Sequence, residues 1–118
     1  MLKIYEYKNC STCKKALKFL DSQGIAYKAY PIVDRPPSKK ELKEMLKSFD
    51  GNIKKLFNTS GQFYREMNIK DKIQSMTDSE AINLLSEHGK LVKRPFLIGD
   101  ETATVGFKEE VWKDLLGL

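Results

Sequence analysis

The sequence predicts an α/β fold in which helices cover a small mixed β-sheet. The chain has 118 residues, of which 41% are hydrophobic and 31% charged. That size and composition suit one globular domain that folds without a disulfide or a metal. Short segments with alternating apolar residues lie near both ends of the chain, and helical apolar spacing fills the middle. We therefore expect residues 1–118 to form a single domain.

The first thirty or so residues predict a strand, a helix and a second strand. Leu2–Tyr7 alternates apolar and polar side chains, which is typical of a strand. Ser11 or Thr12 is the expected cap of a helix that stops at Gly24. Residues 25–33 form the second strand, and Pro31 places it at a sheet edge or marks its end. Such a unit predicts two parallel strands joined by the helix.

The middle of the chain predicts a helical insert at about residues 38–88. It follows the break at residues 35–37, and Ser38 with Glu41 forms a capping-box pattern. Thr77 or Asp78 opens a later helix that ends at residues 88–89. The apolar stripes of the insert are Leu42, Met45, Leu46 and Phe49; Ile53, Leu56 and Phe57; and Ile69, Ile73 and Met76.

The C-terminal part predicts a β-hairpin followed by a helix. Residues 90–98 are extended with Pro95 among them, residues 102–105 form another strand, and residues 106–118 form an amphipathic helix. Phe107 and Trp112 are expected core residues of that last segment. The complete order is βαβ, helical insert, β-hairpin and helix, which is that of a thioredoxin/glutaredoxin-like core with added helices.

Composition also excludes several kinds of protein. The longest unbroken apolar stretch has three residues, far below the ~20 needed to span a bilayer. The N-terminus has no basic region followed by a long apolar run, so we expect a cytoplasmic protein without a secretory signal. There are 21 basic and 16 acidic residues, a net charge of +5. The lysines are spread over nearly every predicted helix, which favours solvated helix faces over an anionic partner. We expect a monomer without direct nucleic-acid binding.

Two cysteines, Cys10 and Cys13, carry the most specific chemical signal. They are separated by Ser11 and Thr12 and lie where a predicted strand turns into a helix. Free N–H groups at a helix N-terminus favour the thiolate of Cys10, which makes it the candidate nucleophile. Cys13, one turn further on, is the candidate resolving thiol. The competing interpretation is two small buried side chains, but the strand–turn–helix position favours redox chemistry.

Arg94 and Pro95 form the second candidate element of the site. In thioredoxin-like folds a proline before the third strand is commonly cis and lies beside the reactive cysteine. Arg94 would then offer its guanidinium to the Cys10 thiolate or to a substrate oxyanion. Asn58, in a polar turn, is a further candidate that could reach the site. The expected substrate groove is formed by Ser11, Thr12, Asn58 and Pro95.

No metal centre or bound cofactor is expected. The chain has one histidine and two cysteines, too few for a four-ligand zinc site built from these residue types.

Several motifs, in order, resemble the glutaredoxin-type arsenate reductase (ArsC) family and its Spx-like branch over essentially the whole chain. The fold implied is a thioredoxin-like sheet with a helical insert, in agreement with the predicted elements. The matching segments are Tyr5-x4-Cys10-Ser-Thr-Cys13, Arg35-Pro36-Pro37, Leu56-Phe57-Asn58-Thr59-Ser60-Gly61, Leu91-Val92-Lys93-Arg94-Pro95 and Val105-Gly106-Phe107.

The resemblance implies a reactive cysteine at Cys10. Arsenate reductases of this type hold the oxyanion with several arginines, of which only Arg94 is matched here. Asn58 stands at the middle position, and Phe107 and Lys108 lie near the last. The Cys-x-x-Cys pair instead matches the thiol–disulfide switch of the Spx-like branch. We therefore expect a thiol–disulfide oxidoreductase that reacts with protein or small disulfides, supported by thioredoxin or by a glutathione/glutaredoxin-type reductant.

Two alternatives remain open. One is a redox-sensing Spx-type transcriptional regulator that binds the RNA polymerase α subunit. Spx proteins carry a polar C-terminal extension, whereas this sequence ends at Leu118 directly after the last predicted helix, so the regulator is the less expected reading. The other is a true arsenate reductase. It is less expected because only Arg94 matches the arginines that hold the oxyanion in those enzymes.

Overall fold

A four-stranded sheet lies at the centre of the computed structural model, which describes all 118 residues. Its strands are β1 (Leu2–Glu6), β2 (Tyr27–Pro31), β3 (Phe96–Ile98) and β4 (Ala103–Val105). Their order across the sheet is β2-β1-β3-β4. The β1–β2 pair is parallel and the other two pairs are antiparallel. This is the mixed, thioredoxin/glutaredoxin-like sheet that the sequence predicts.

Six α-helices and two short 3₁₀ turns complete the fold. The 3₁₀ turns span Ile53–Leu56 and Gly89–Leu91, so the helical insert is confirmed and extends slightly beyond its predicted end. None of the helices combines the length and the apolar composition needed to cross a membrane. The helices are α1 (Ser11–Ser22), α2 (Lys39–Ser48), α3 (Gln62–Glu66), α4 (Ile69–Lys72), α5 (Asp78–Glu87) and α6 (Glu109–Leu116).

Strand β1 is buried on both faces because the sheet lies between two helical layers. Successive side chains of a strand point to opposite faces. Ile4 therefore joins the apolar cluster formed with α1 and α6, whereas Tyr5 joins the cluster formed with the helical insert. In β3, Leu97 joins the first cluster, and its neighbours Phe96 and Ile98 join the second. The centre of β1, five to six residues before Cys10, is thus fixed between both clusters.

The strands are shorter than the sequence predicts. The second strand covers Tyr27–Pro31 rather than residues 25–33, and it lies at a sheet edge and ends at Pro31. The extended segment predicted for residues 90–98 is wrong in its first part, where Gly89–Leu91 forms a 3₁₀ turn. Strand β3 begins only after Pro95, which has no N–H to donate to the strand ladder. Gly89 packs so closely against the Ile32 carbonyl that a side chain would clash there.

The helix ends show how local chemistry stops or starts each element. The last helix covers Glu109–Leu116 rather than residues 106–118, because Gly106 and Gly117 have φ angles of 74° and 70°, outside the right-handed helical region. The predicted capping box at α2 is confirmed, with reciprocal hydrogen bonds of 3.1 and 3.0 Å between Ser38 and Glu41.

Candidate functional site

Cys10 is the N-cap of helix α1. The Cys13 backbone N–H donates a hydrogen bond of 3.1 Å to the Cys10 Sγ, the position that a serine oxygen occupies in an ordinary cap. The prediction that Ser11 or Thr12 caps this helix is therefore wrong, since both lie inside its first turn. The sulfur itself receives one of the free N–H groups of the helix terminus, which favours a negative charge on that sulfur.

The two cysteines differ in their exposure. Both are free thiols, but Cys10 is partly exposed, whereas Cys13 is completely buried. Burial raises the pKa of the Cys13 thiol, and its hydrogen bond to Cys10 raises it further, while the positive charge of Arg94 acts in the opposite direction. At neutral pH Cys13 is thus a protonated thiol next to the sulfur of Cys10. Only Cys10 is open to a molecule arriving from solvent.

The start of β3 lies beside the end of β1. The two strands are antiparallel with Tyr5 opposite Phe96, so continuing this register brings Arg94 level with Tyr7. The Arg94–Pro95 peptide bond is cis, and Pro95 is buried. One terminal guanidinium nitrogen of Arg94, Nη1, is buried and has no hydrogen-bond partner. The sheet topology therefore brings a cation with an unused donor to the segment that carries the cysteine pair.

Tyr7 is a site residue that sequence reasoning missed. Its backbone carbonyl accepts a 3.0 Å hydrogen bond from the Cys10 N–H. Its ring lies under the Arg94 guanidinium, with 4.8 Å between the guanidinium carbon and the ring centroid. This is a cation–π distance, so Tyr7 connects Arg94 to the cysteine turn. The only signal in the sequence was an aromatic residue at the end of the first predicted strand, three residues before Cys10.

We expect Tyr7→Leu to slow alkylation of Cys10 by iodoacetamide at neutral pH about threefold. Without the cation–π contact, Arg94 would no longer be held where its charge favours the Cys10 thiolate. Tyr7→Phe keeps the ring face and should react like the wild type. Tyr30→Leu is the matched control. The Tyr30 ring makes the same kind of contact with Arg35, whose guanidinium carbon lies 4.3 Å from the ring centroid, and Tyr30 lies outside the turn that holds the cysteines. Equal slowing in Tyr30→Leu and Tyr7→Leu would mean that Tyr7 does not position Arg94 for the site.

A cavity of about 770 Å³, which we call the basic groove, has Thr12 and Arg94 among its lining residues, but neither cysteine. The rest of its lining comes from the insert, from Lys93, and from β4, α6 and the segment that joins them. No aspartate or glutamate is among the lining residues. The lining cations are Lys54, Lys55, Lys93, Arg94 and Lys108, and the apolar lining residues are Phe49, Phe57, Val105, Phe107, Val111 and Trp112.

The structure places the predicted groove residues unevenly. Thr12 lines the basic groove, and Ser11 is exposed next to it on the first turn of α1. Asn58 does not line the groove, although its neighbours Phe57 and Thr59 do. The Asn58 backbone N–H instead donates a 2.7 Å hydrogen bond to the Leu91 carbonyl, which ties the insert to the segment before β3. Its proposed role at the site stays a prediction.

No group of three or more His, Cys, Asp or Glu side chains is placed to hold a metal ion. The chemistry available in this region is that of the two thiols and the cations around them.

Comparisons with known proteins match this chain over almost its whole length. The sequence model of the ArsC family matches residues 5–115. The uncharacterized protein YusI of Bacillus subtilis is 42% identical over 113 residues, which are 96% of each chain. The global transcriptional regulator Spx of Bacillus subtilis is 26% identical over 110 residues, 93% of this chain and 82% of Spx.

Among solved structures, the crystal structure of an ArsC family related protein from Bacteroides fragilis superposes with a TM-score of 0.89. The two sequences are 42% identical, and the match covers 97% of this chain and 96% of that one. A match of this extent shows that the two proteins share their fold over almost their whole length.

Proposed function

Because the chain belongs to the ArsC family and carries the Cys10–Cys13 pair, we propose that it is a thiol–disulfide oxidoreductase. The observation that carries this proposal is the asymmetry of the pair. Cys10 is accessible and caps α1, and its sulfur receives the Cys13 N–H, whereas Cys13 is buried with a raised pKa. One sulfur is thus suited to attack a partner from solvent, and the other to act afterwards within the protein.

In the first step the Cys10 thiolate attacks one sulfur of a disulfide substrate. The substrate S–S bond breaks, a mixed disulfide forms at Cys10, and the leaving substrate sulfur takes up a proton. The free N–H groups at the start of α1 stabilise the attacking thiolate. Arg94 has an unused Nη1 donor and is held on the Tyr7 ring, which suits it to stabilise negative charge developing on sulfur beside the pair.

In the second step the Cys13 thiol loses its proton and its sulfur attacks the Cys10 Sγ. A Cys10–Cys13 disulfide forms, and the second substrate thiol leaves. The raised pKa of Cys13 keeps it protonated before this step, so it does not compete with Cys10 for the substrate. A thiol reductant of the thioredoxin type, or glutathione with glutaredoxin, then returns two electrons and two protons to the pair.

Replacing Cys13 with serine is expected to stop the reaction after the first step, because serine cannot displace the substrate from Cys10. Incubation of Cys13→Ser with an oxidised protein or small disulfide should therefore give a mixed disulfide that mass spectrometry locates at Cys10. Cys13→Ala tests the same point without a buried hydroxyl. Cys10→Ser is the control and should give no adduct. Absence of any adduct in both Cys13 variants would contradict the mechanism.

A second candidate function is a redox-sensing regulator, and the relationship to Spx favours it. Cys10 and Cys13 would then act as a switch whose disulfide form binds the C-terminal domain of the RNA polymerase α subunit. A pull-down with that domain distinguishes the two candidates. Binding by the oxidised protein alone would favour the regulator, and equal lack of binding in both redox states would favour the oxidoreductase.

A further inference from the structure

The basic groove brings cations together without any carboxylate. Five of the 21 basic side chains of the chain line it, and no aspartate or glutamate does. The other 16 basic residues of the chain are matched in number by the 16 acidic ones, so the groove accounts for the whole net charge of +5. The spread of lysines over nearly every helix does not show this cluster in the sequence, because its members lie far apart in the chain.

None of the groove cations is neutralised within the protein. The ion pairs of the structure join Lys3 to Glu41 at 3.3 Å and Lys113 to Glu109 at 3.9 Å, and neither includes a groove residue. Glu109 follows Lys108 directly in sequence but is not part of the groove lining. Clustered charges of one sign in a concave surface raise the local concentration of anionic groups.

The groove also has apolar lining residues, and exposed apolar side chains of helix α6 lie in and next to it. Val111 lines the groove and is 40% exposed, and Leu115, one helical turn further on, is 41% exposed. Phe107 and Val105 are half-buried lining residues as well. A ligand that fills this surface therefore needs apolar groups as well as negative charge.

We propose that the basic groove docks an acidic, partly apolar polypeptide segment of the protein whose disulfide or thiol reacts at Cys10. The proposal rests on the function proposed above and names its partner class. Cys10 does not itself line the groove, but Thr12, two residues after it on the first turn of α1, does, so a segment lying in the groove would bring a neighbouring cysteine to the region of Cys10. Acidic side chains would pair with the lysines, and apolar ones would cover Val111 and Phe107.

Charge favours a polypeptide over the other anionic ligands. A small thiol such as glutathione has only two carboxylates to pair with the five cations of the groove. A nucleic acid would satisfy the charges, but it contains no sulfur to exchange with Cys10. An acidic protein segment supplies the charge, the apolar contacts and the cysteine.

Binding of cysteine-free peptides to the reduced protein tests the docking site apart from the thiol chemistry. Fluorescence anisotropy is measured with three labelled peptides of equal length that contain leucine with glutamate, lysine or glutamine. We expect the glutamate peptide to bind the wild type best and its affinity to fall as salt rises. Lys54→Gln/Lys55→Gln should weaken this binding about fivefold. The charge-matched control Lys70→Gln/Lys72→Gln, on exposed residues of α4, should change it less than about twofold.

Four results would overturn the proposal. These are equal binding of the glutamate and lysine peptides, equal weakening by the two lysine double variants, displacement of the peptide by equimolar glutathione, and tighter binding of a single-stranded oligonucleotide than of the glutamate peptide. The Cys13→Ser trapping experiment reads out thiol exchange alone, so its failure with intact peptide binding would remove the oxidoreductase function and leave the docking site.

Discussion

Replacing Cys10 with serine is expected to lower turnover of a disulfide substrate at least about 1000-fold, because a serine hydroxyl is not ionised at neutral pH and cannot exchange with sulfur. The measurement is NADPH consumption in the presence of thioredoxin and thioredoxin reductase. Serine is a good N-cap, so its hydroxyl oxygen should accept the hydrogen bond that the Cys13 N–H now donates to the Cys10 Sγ, and the fold should persist. Ser11→Ala, exposed on the same turn, is the control and should keep nearly full activity.

Arsenate as a second substrate in this assay separates the remaining alternatives. Turnover of arsenate that depends on Cys10 would favour the arsenate reductase function, with Arg94 and the groove lysines in place of the missing arginines. Turnover of the disulfide alone would support the oxidoreductase. No turnover of either substrate would favour the redox-switched regulator. Unchanged disulfide turnover in Cys10→Ser would show that Cys10 is not the nucleophile.

Trp112→Ala is expected to lower the free energy of unfolding by about 3–5 kcal/mol, a large part of the total stability of a small domain. Trp112 is completely buried between the sheet layer and α1. Its indole N–H donates a 3.1 Å hydrogen bond to the Gly106 carbonyl, and its ring meets Phe107 edge-on with 4.9 Å between centroids. Truncation would leave a cavity and an unpaired carbonyl at the point where β4 leads into α6. Urea denaturation followed by circular dichroism measures the change.

Leu115→Ala is the matched control for this prediction. It removes an apolar side chain from the same helix, but Leu115 is 41% exposed and belongs to neither core cluster. Its free energy of unfolding should therefore change by no more than about 0.5 kcal/mol. Similar losses in the two variants would mean that α6 is stabilised by its helix propensity rather than by docking through Trp112.

Local patterns predicted the elements well wherever the deciding interactions were local. The Ser38–Glu41 capping box starts α2 as expected, because both partners lie within one helical turn. The prediction for the first helix erred by one position. A cysteine is rarely considered a cap, and here the Cys10 sulfur takes the place of the expected Ser11 or Thr12 hydroxyl.

Errors were larger where distant segments meet. The turn at Gly89–Leu91 replaces part of a predicted strand because Gly89 packs against the backbone of Ile32, more than fifty residues away in the chain. Tyr7 was not predicted as a site residue for the same reason, since the antiparallel β1–β3 pairing is what brings its partner Arg94 close to it. Apolar spacing reports that a face is buried but not which segment covers it.

By itself the sequence determined the order of the elements and the position of the Cys10–Cys13 pair between the first strand and the first helix, because alternation, capping and the two-residue spacing act within a few residues of chain. Only the tertiary structure decided what surrounds that pair. Residues 54–55, 93–94 and 108 lie far apart in sequence and become one basic groove because the insert, the start of β3 and the start of α6 meet beside α1. Burial likewise separates the two thiols, since Cys13 faces the core and Cys10 the solvent. The free energy of such long-range packing depends on which faces meet, and no local pattern records that.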